Sequence, residues 1–376
     1  MNPVDRSIAL YVTEHGYGHL ARCLEVAREL RRLAPETKLH VRAPFPREQV
    51  EAALGFPPDS HAPVRLDVGL VQLDSLRADL PATVERLGEY YGAEGDRLVG
   101  EEARWLERSG IDAALIDIPP RAFDACRLAG VPAYGLTNFS WDWIWRDLAE
   151  EEPRLAPFAE KAAESYASCA RLFRTVMHAG LDAFPTVEDV PLVARISRTD
   201  PEEVRSMLRL VDGRTVVVLS FGGAGVRGIT PPPAALHERF LFIASEPLPD
   251  PGPPFVYINN ETLQGKGLRY CDLVAAADIA MSKPGYSTVA ECLANRTAMI
   301  YSDRSRFAEY PVIVRYIREK LPSERIDSGD LLAGRWGGAL DRLVDRRPFR
   351  FPPERIDGAE VVARRLLEEV GGADPG

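Results

Sequence analysis

Two histidines and an aspartate have the residue types and the spacing of an acid–base pair. His15 lies in the loop Glu14–Gly18, which follows the apolar run Ser7–Val12, and His19 comes just after it. A histidine that titrates near neutral pH at the end of a buried strand is suited to act as a general base. Asp117 ends another apolar run and could orient the imidazole of His19. Plainer interpretations stay open, because a histidine can bond a backbone carbonyl and an aspartate after a strand can cap the next helix.

A second segment, MSKPGYSTVAECLA from Met281, could bind a diphosphate. A short predicted strand leads through Pro-Gly into a helix from about Ser287. Backbone amides at the helix N-terminus, the hydroxyls of Ser287 and Thr288 and the charge of Lys283 would together attract an anion. Glu291, one turn further along, could accept two ribose hydroxyls. Helix capping explains the Ser, Thr and Glu separately, but not their combination with the lysine.

The elements that must position these residues alternate between strand and helix. Short β-branched runs are typical of buried parallel strands, whereas apolar residues at three- and four-residue spacing predict helices. The predicted strands of the first half are Ser7–Val12, Lys38–Arg42, Ala113–Asp117 and Pro132–Leu136. The first helix is predicted to bury Leu20, Leu24, Ala27 and Leu30 and to expose Arg22, Glu25, Arg28, Glu29 and Arg32.

The same order begins again in the second half of the chain. Asp200 is predicted to cap a helix from Pro201, and Thr215–Ser220 is a β-branched strand that leads into a second glycine loop, Gly222-Gly223. A further short strand is predicted at Phe240–Ala244 within a proline-rich segment. A strand and glycine loop thus occur twice, which predicts two α/β domains with parallel sheets.

The first glycine loop also matches the dinucleotide fingerprint G-x-G-x-x-A at Gly16–Ala21. A dinucleotide site needs an acidic residue near the end of the second strand, and Val41 and Arg42 stand there instead. The sequence therefore disfavours a dinucleotide oxidoreductase. It also contains no Walker loop and no Gly-x-Ser-x-Gly elbow.

Composition excludes several other classes. The chain has 376 residues, which suits two domains, and 56 acidic against 46 basic side chains give a net charge of −10. That charge argues against a nucleic-acid or anionic-membrane partner. The five cysteines form no CxxC pair, which predicts reduced thiols rather than disulfides or a zinc site. No signal peptide and no long apolar stretch is evident, so a cytoplasmic protein is expected.

The paired glycine loops and the KPGYSTVAE and FAEY stretches resemble nucleotide-sugar glycosyltransferases with two Rossmann-like domains, the GT-B class. This class includes the peptidoglycan N-acetylglucosaminyltransferase and the plant UDP-glucosyltransferases. Residues 8–320 more closely resemble the glycosyltransferase-like N-terminal region of L-arabinokinase. The matching stretches are VTEHGYGH from Val12, LTNFSWD from Leu136, DVPLV from Asp189 and the Gly-Tyr-Ser-Thr helix start. The glycine-rich loop of that enzyme's sugar-kinase half does not occur in the sequence.

The resemblance implies a GT-B fold whose two parallel sheets face each other across a cleft. It implies an acceptor domain over residues 1–195, a nucleotide-sugar domain over 196–350 and a C-terminal helix and tail over 351–376 that cross back. His19 would be the base and Asp117 its partner. The remaining roles are donor diphosphate (Lys283, Gly285, Tyr286, Ser287, Thr288, Gly222, Gly223), ribose (Glu291), donor sugar (Glu309), base (Tyr257, Ile258, Asn259) and acceptor (His15, Gly18, Asn138, Trp141, Trp143).

The expected reaction is inverting transfer of a sugar from a nucleoside-diphosphate sugar, with UDP as the expected nucleotide, to a small-molecule acceptor hydroxyl. No metal or other cofactor is expected, because the sequence contains no Asp-x-Asp pair. Tyr310 stands where the plant enzymes have glutamine, which argues against glucose as the donor sugar. Two alternatives stay open: an inactive nucleotide-sugar-binding module and a nucleotide-sugar 2-epimerase. For the segment Asn138–Trp145, packing as an ordinary buried aromatic helix is the alternative to acceptor binding. The sequence leaves the oligomeric state open.

Overall fold

Two parallel β-sheets organise the chain. The structure, a computed structural model, describes residues 6–73, 78–221, 228–245, 255–303 and 307–372. It divides into two units: Met1–Val71, Asp79–Val193 and Arg355–Gly376 form the first, and Gln72–Ala78 with Ala194–Glu354 form the second. The second unit lies almost wholly between two segments of the first along the chain.

The sheet of the first unit has the strand order β3-β2-β1-β4-β5-β6-β7, and all its pairs are parallel. Its strands are β1 (Ser7–Val12), β2 (Lys38–Arg42), β3 (Ser60–Ala62), β4 (Ala113–Asp117), β5 (Ala133–Thr137), β6 (Arg171–Arg174) and β7 (Val187–Asp189). Its helices are α1 (Tyr17–Leu33), α2 (Arg47–Leu54), α3 (Leu80–Tyr90), α4 (Ala93–Arg108), α5 (Pro120–Ala129), α6 (Trp141–Leu148), α7 (Ala156–Tyr166) and, from the end of the chain, α15 (Gly358–Gly372).

The sheet of the second unit has the order β10-β9-β8-β11-β12-β13 and is also parallel throughout. Its strands are β8 (Thr215–Ser220), β9 (Phe240–Ala244), β10 (Phe255–Tyr257), β11 (Ile279–Ser282), β12 (Ala298–Ser302) and β13 (Ser323–Ile326). Its helices are α8 (Pro201–Leu208), α9 (Asn260–Gln264), α10 (Tyr270–Ala276), α11 (Tyr286–Ala294), α12 (Glu309–Lys320), α13 (Ser328–Leu332) and α14 (Gly337–Val344).

Both sheets reverse their strand order beside their first strand, as Rossmann folds do. In each, the chain builds outward on one side and then returns to the other side of the first strand, so that β1 lies next to β4 and β8 next to β11. Ligands of open α/β sheets bind outside the carboxyl ends of the strands at this reversal. The sequence prediction of two Rossmann-like, parallel-sheet α/β units is confirmed.

The core of the first unit explains why its last helix belongs to it. Leu20, Leu24 and Leu30 of α1 share one apolar cluster with Val362 and Leu366 of α15. The helix α1 is therefore covered by the sheet on one side and by α15 on another. Elsewhere, all five cysteines are buried and form no disulfide, as the sequence predicts.

Candidate active site

The carboxyl ends of β1 and β4 bring His19 and Asp117 together. The two strands are neighbours, and Val12 is in register with Asp117. The chain leaves β1 through Gly16, which precedes the first residue of α1, so His19 lies in the first turn of that helix. The imidazole Nδ1 of His19 lies 2.9 Å from Oδ1 of Asp117. Asp117 does not cap the following helix, since Pro119 occupies the N-cap position of α5 without a side-chain bond.

Arg22 completes the cluster, and its position corrects a sequence prediction. The prediction that this arginine lies on the outer face of α1 is wrong, because Arg22 is only 3% exposed. Its Nε donates to Oδ2 of Asp117 at 2.9 Å, and its Nη2 donates to Oδ1 at 2.8 Å. A third nitrogen, Nη1, donates to Oδ1 of Asn138 at 2.9 Å. The physical reason is that a fully buried carboxylate requires a compensating charge and hydrogen-bond donors.

The contact with Asp117 favours one tautomer of His19. Nδ1 and the carboxylate oxygen of Asp117 are at hydrogen-bond distance, and two lone pairs at that separation would repel each other, so one atom must carry a proton. Burial raises the pKa of Asp117, but the charges and hydrogen bonds of Arg22 and His19 outweigh it and lower that pKa below its ordinary value. The carboxylate is therefore ionised and the proton belongs to Nδ1. In a ring with that single proton, Nε2 would be the basic nitrogen.

Two of the residues predicted to contact an acceptor are instead buried. Asn138 is fully buried and accepts the Arg22 bond, while the indole of Trp141 is fully buried between the rings of Phe139 and Trp145. Neither side chain is accessible in this structure, and their role in acceptor binding stays a prediction. Trp143 is half-buried and packs over Gly180. The two indoles do lie on different faces of α6, as helical spacing requires.

A buried carboxyl that the sequence analysis missed lies on the same side of the unit. Asp67 is 4% exposed, and its Oδ2 accepts a hydrogen bond from Nε1 of Trp141 at 3.1 Å. Burial raises the pKa of Asp67 to about 6, although hydrogen bonds from Thr13 and Trp141 act in the opposite direction. The ring of His15 lies edge-on to Trp141 with 4.7 Å between centroids. The only sequence signal was an acidic residue inside an apolar stretch, VRLDVGL.

The segment predicted to bind a diphosphate has the expected backbone in the second unit. Strand β11 ends at Ser282, and α11 begins at Tyr286 after Gly285, whose N-cap position carries no side-chain hydrogen bond. Lys283, Ser287 and Thr288 are each partly exposed around this helix start, and Tyr286 is buried. Gly222 and Gly223 lie outside the described residues.

Glu291, which the resemblance assigns to ribose binding, is buried and paired with an arginine. It is 3% exposed, and its Oε1 accepts from both Nε and Nη2 of Arg195. The guanidinium of Arg195 also lies 5.7 Å from the ring centroid of Tyr270. The carboxylate that the resemblance assigns to ribose recognition is thus already engaged by an arginine 96 positions earlier. A buried carboxylate needs a cationic partner to offset its loss of hydration. The spacing of residues along α11 does not reveal that partner, because Arg195 lies outside the helix.

The remaining predicted donor residues lie along the same unit. Glu309 is the buried first residue of α12, and the adjacent Tyr310 donates its hydroxyl to Asp303 at 2.9 Å. Tyr257 ends β10 and is 37% exposed, whereas the next residue, Ile258, is buried. Asn259 caps α9 by accepting from the backbone N–H of Thr262 at 2.8 Å. Oδ1 of Asn259 is thus used within α9, while the ring of Tyr257 is accessible.

The described part of the chain holds neither a metal-ligand cluster nor a membrane-spanning helix. No group of three or more His, Cys, Asp and Glu side chains in the described ranges is arranged to hold a metal ion. Among those same residues, no helix combines the length and the apolar character needed to cross a membrane.

Comparison with known proteins establishes the fold. No protein-family model matches the chain. The L-arabinokinase of Arabidopsis thaliana is 31% identical over 368 residues, which is 97% of this chain but 34% of that protein, so the chain spans about a third of this curated relative. A UDP-glucosyltransferase from Polygonum tinctorium, capable of glucosylating indoxyl, matches with a TM-score of 0.57 at 12% identity over 98% of this chain and 94% of that one. A putative UDP-N-acetylglucosamine 2-epimerase from Listeria monocytogenes matches with a TM-score of 0.60 at 10% identity, covering 99% and 98%. The chain therefore has the GT-B fold, and it resembles one part of L-arabinokinase.

Proposed function

We propose that this protein is an inverting glycosyltransferase that uses a nucleoside-diphosphate sugar and needs no metal. The observation that carries the proposal is the His19–Asp117 contact of 2.9 Å at the carboxyl ends of two adjacent strands. It leaves Nε2 as the basic atom at the edge of the sheet where open α/β folds bind ligands. The fold likeness to UDP-sugar enzymes supports a UDP-sugar as donor.

In the proposed reaction, Nε2 of His19 removes the proton of the acceptor hydroxyl as that oxygen attacks the anomeric carbon. The bond from this carbon to the diphosphate oxygen breaks at the same time, and the diphosphate leaves with the bonding electron pair. Attack opposite the leaving group inverts the anomeric centre. General-base assistance of this kind contributes ~10²–10⁴-fold to the rate. Asp117 stabilises the imidazolium that forms, as the acid of a catalytic triad does.

The donor is proposed to bind at the start of α11. The developing charge of the diphosphate would be stabilised by the first-turn amides, by Ser287 and Thr288 and by the charge of Lys283. Glu309 would contact the donor sugar, and Glu291 the ribose. On the acceptor side, Gly18, His15 and the accessible part of Trp143 remain as candidate contacts.

A nucleotide-sugar-binding module without turnover is the second candidate, and one observation favours it. Arg195 already holds Oε1 of Glu291, so a ribose would share that carboxylate with an ion pair, an arrangement unlike the one the resemblance implies. A 2-epimerase, which the Listeria likeness also suggests, would convert the donor with no acceptor present.

Two measurements test these proposals. We expect UDP to raise the melting temperature of the wild-type protein, and Glu291→Gln to reduce that shift; Glu102→Gln removes a similarly buried, arginine-paired glutamate of the first unit and is the matched control. When the wild-type protein is incubated with a panel of UDP-sugars and a cell extract that supplies acceptors, we expect it to release UDP. The His19→Gln variant should release none under the same conditions. A shift with no His19-dependent release would favour the binding module, and the absence of a shift with any nucleoside diphosphate would overturn every nucleotide-based proposal.

A further inference from the structure

Arg22 is a third charged residue in contact with both members of the histidine–aspartate pair. Its guanidinium contacts both oxygens of Asp117, and its Nη2 also lies 3.2 Å from Nδ1 of His19. The arginine and the aspartate are almost completely buried, whereas 13% of the His19 side chain is exposed. The histidine therefore shares its carboxylate partner with a permanent cation while remaining within reach of solvent protons.

The charge count of the cluster shows what Arg22 changes. Asp117 is ionised, and a buried carboxylate needs one positive charge close by. With Arg22 present, that charge is supplied whether or not His19 is protonated. Without it, among the described residues, the hydrogen-bonded group that can become cationic is His19 itself, since Cys23 and Asn138, the other described side chains bonded to the cluster, cannot.

We propose that Arg22 is a positioning residue that keeps His19 neutral at physiological pH, with its proton on Nδ1, by compensating the charge of Asp117. Its significance for catalysis rests on the proposed function, because a general base must hold a free lone pair before the reaction begins. The protonation state itself can be measured without any substrate.

Asp67, in the segment before α3, is a further titratable group whose charge acts on His19, and Glu14 in the loop before α1 acts in turn on Asp67. The raised pKa of Asp67 keeps part of its population neutral near pH 6, so its charge is fully present only above that pH. Measurements at pH 7.5 and above therefore hold the contribution of Asp67 constant while Arg22 is varied.

The test is ¹⁵N NMR of histidine-labelled protein, which distinguishes a protonated from an unprotonated ring nitrogen. The chain has six histidines, so comparison with His19→Gln assigns the signal. In the wild type at pH 7.5 we expect Nε2 to be unprotonated and Nδ1 protonated. In Arg22→Met we expect a larger fraction of rings with both nitrogens protonated at that pH, because an uncompensated carboxylate next to a histidine favours its cationic form.

Three further variants separate this role from a loss of packing. Arg22→Lys keeps the charge and should titrate like the wild type. Arg22→Met with Asp117→Asn removes both charges and should return His19 to the neutral form. Arg42→Met removes another buried arginine, the partner of Glu102 that stacks 3.9 Å from the ring centroid of Trp105, and should leave the His19 signal unchanged. Near-ultraviolet circular dichroism identifies any variant that does not fold.

The outcomes are distinct. A wild-type ring with its proton on Nε2, or an Arg22→Met protein with the same ring protonation as the wild type at pH 7.5, would overturn the proposal. So would an Arg22→Lys protein that behaves like the methionine variant. If glycosyl transfer is demonstrated, the acid limb of the rate profile should move upward in Arg22→Met with KM for the donor unchanged. Failure to find any transfer would contradict the proposed function and leave the NMR result standing.

Discussion

Replacing Asp67 by asparagine should stabilise the protein increasingly as the pH rises. Burial raises the pKa of this carboxyl from 3.8 to about 6, so between those values the folded chain holds a proton that the unfolded chain has released. The free energy of unfolding therefore contains a contribution that is present at low pH and is lost as the pH rises through about 6. An asparagine has no such titration.

The magnitude follows from the shift. A difference of about two pKa units corresponds to about 3 kcal/mol, because each unit is worth 1.36 kcal/mol. The stability of Asp67→Asn minus that of the wild type should thus increase by up to about 3 kcal/mol between pH 4 and pH 7.5. The amide oxygen of the asparagine can still accept a hydrogen bond from Nε1 of Trp141. Any change in the strength of that bond therefore shifts the stability difference by about the same amount at every pH and leaves its pH dependence unchanged.

The assay is urea unfolding followed by tryptophan fluorescence at several pH values. Four of the five tryptophans lie in the first unit, so the signal reports mainly on the unit that holds Asp67. Asp189→Asn is the control, because the hydrogen bond from Arg174 lowers the pKa of Asp189 and its titration effect lies below about pH 4. A difference curve for Asp67→Asn that is flat between pH 4 and 7.5 would refute the reasoning.

Two further substitutions follow from close approach and from buried charge. Gly180→Ala should lower the free energy of unfolding in urea by about 2–4 kcal/mol, because φ at Gly180 is +63° and an added Cβ would lie 1.9 Å from Cγ of Trp143. The control Gly110→Ala should lower it by about 1 kcal/mol, because Gly110 has a similar φ of +58° but no atom within 4 Å of the added Cβ. Equal costs at the two glycines would contradict the packing argument. Arg195→Met should cost about 3–5 kcal/mol by removing the guanidinium that holds the buried Glu291, and the additional change Glu291→Gln should recover part of that loss. A double variant no more stable than the single one would show that the pair does not act through charge.

The local elements were predictable from sequence because their signals are local. Strands Ser7–Val12, Ala113–Asp117 and Thr215–Ser220 have the predicted bounds, since each is a continuous apolar run that ends at a turn or an acid. The adjacency of β1 and β4, which puts Val12 in register with Asp117, was not predicted, because the order of elements along the chain does not fix which strands are neighbours in the sheet.

The partners of the buried charges were not predictable in the same way. Arg22 breaks the rule that a charged helix residue faces solvent because α1 is enclosed by the sheet and by α15, which leaves little of its surface exposed. Asp67 is buried by an indole 74 positions later, and Glu291 is paired with an arginine 96 positions earlier. Helical or strand periodicity carries no information about contacts at such separations.

The return of the chain to the first unit has a consequence for folding. The backbone of Leu192 donates to the carbonyl of Arg355 at 3.1 Å and accepts from Gly358 at 3.2 Å, so the first unit holds the two ends of the segment Ala194–Glu354 together. Once the first unit has folded, that segment is a closed loop even while it is unfolded. Closing a loop of this length costs on the order of 4 kcal/mol in chain entropy. In the intact chain the folded first unit has already closed the loop, so the second unit does not lose this entropy when it folds. The second unit should therefore be more stable within the intact chain than as the isolated fragment 194–354.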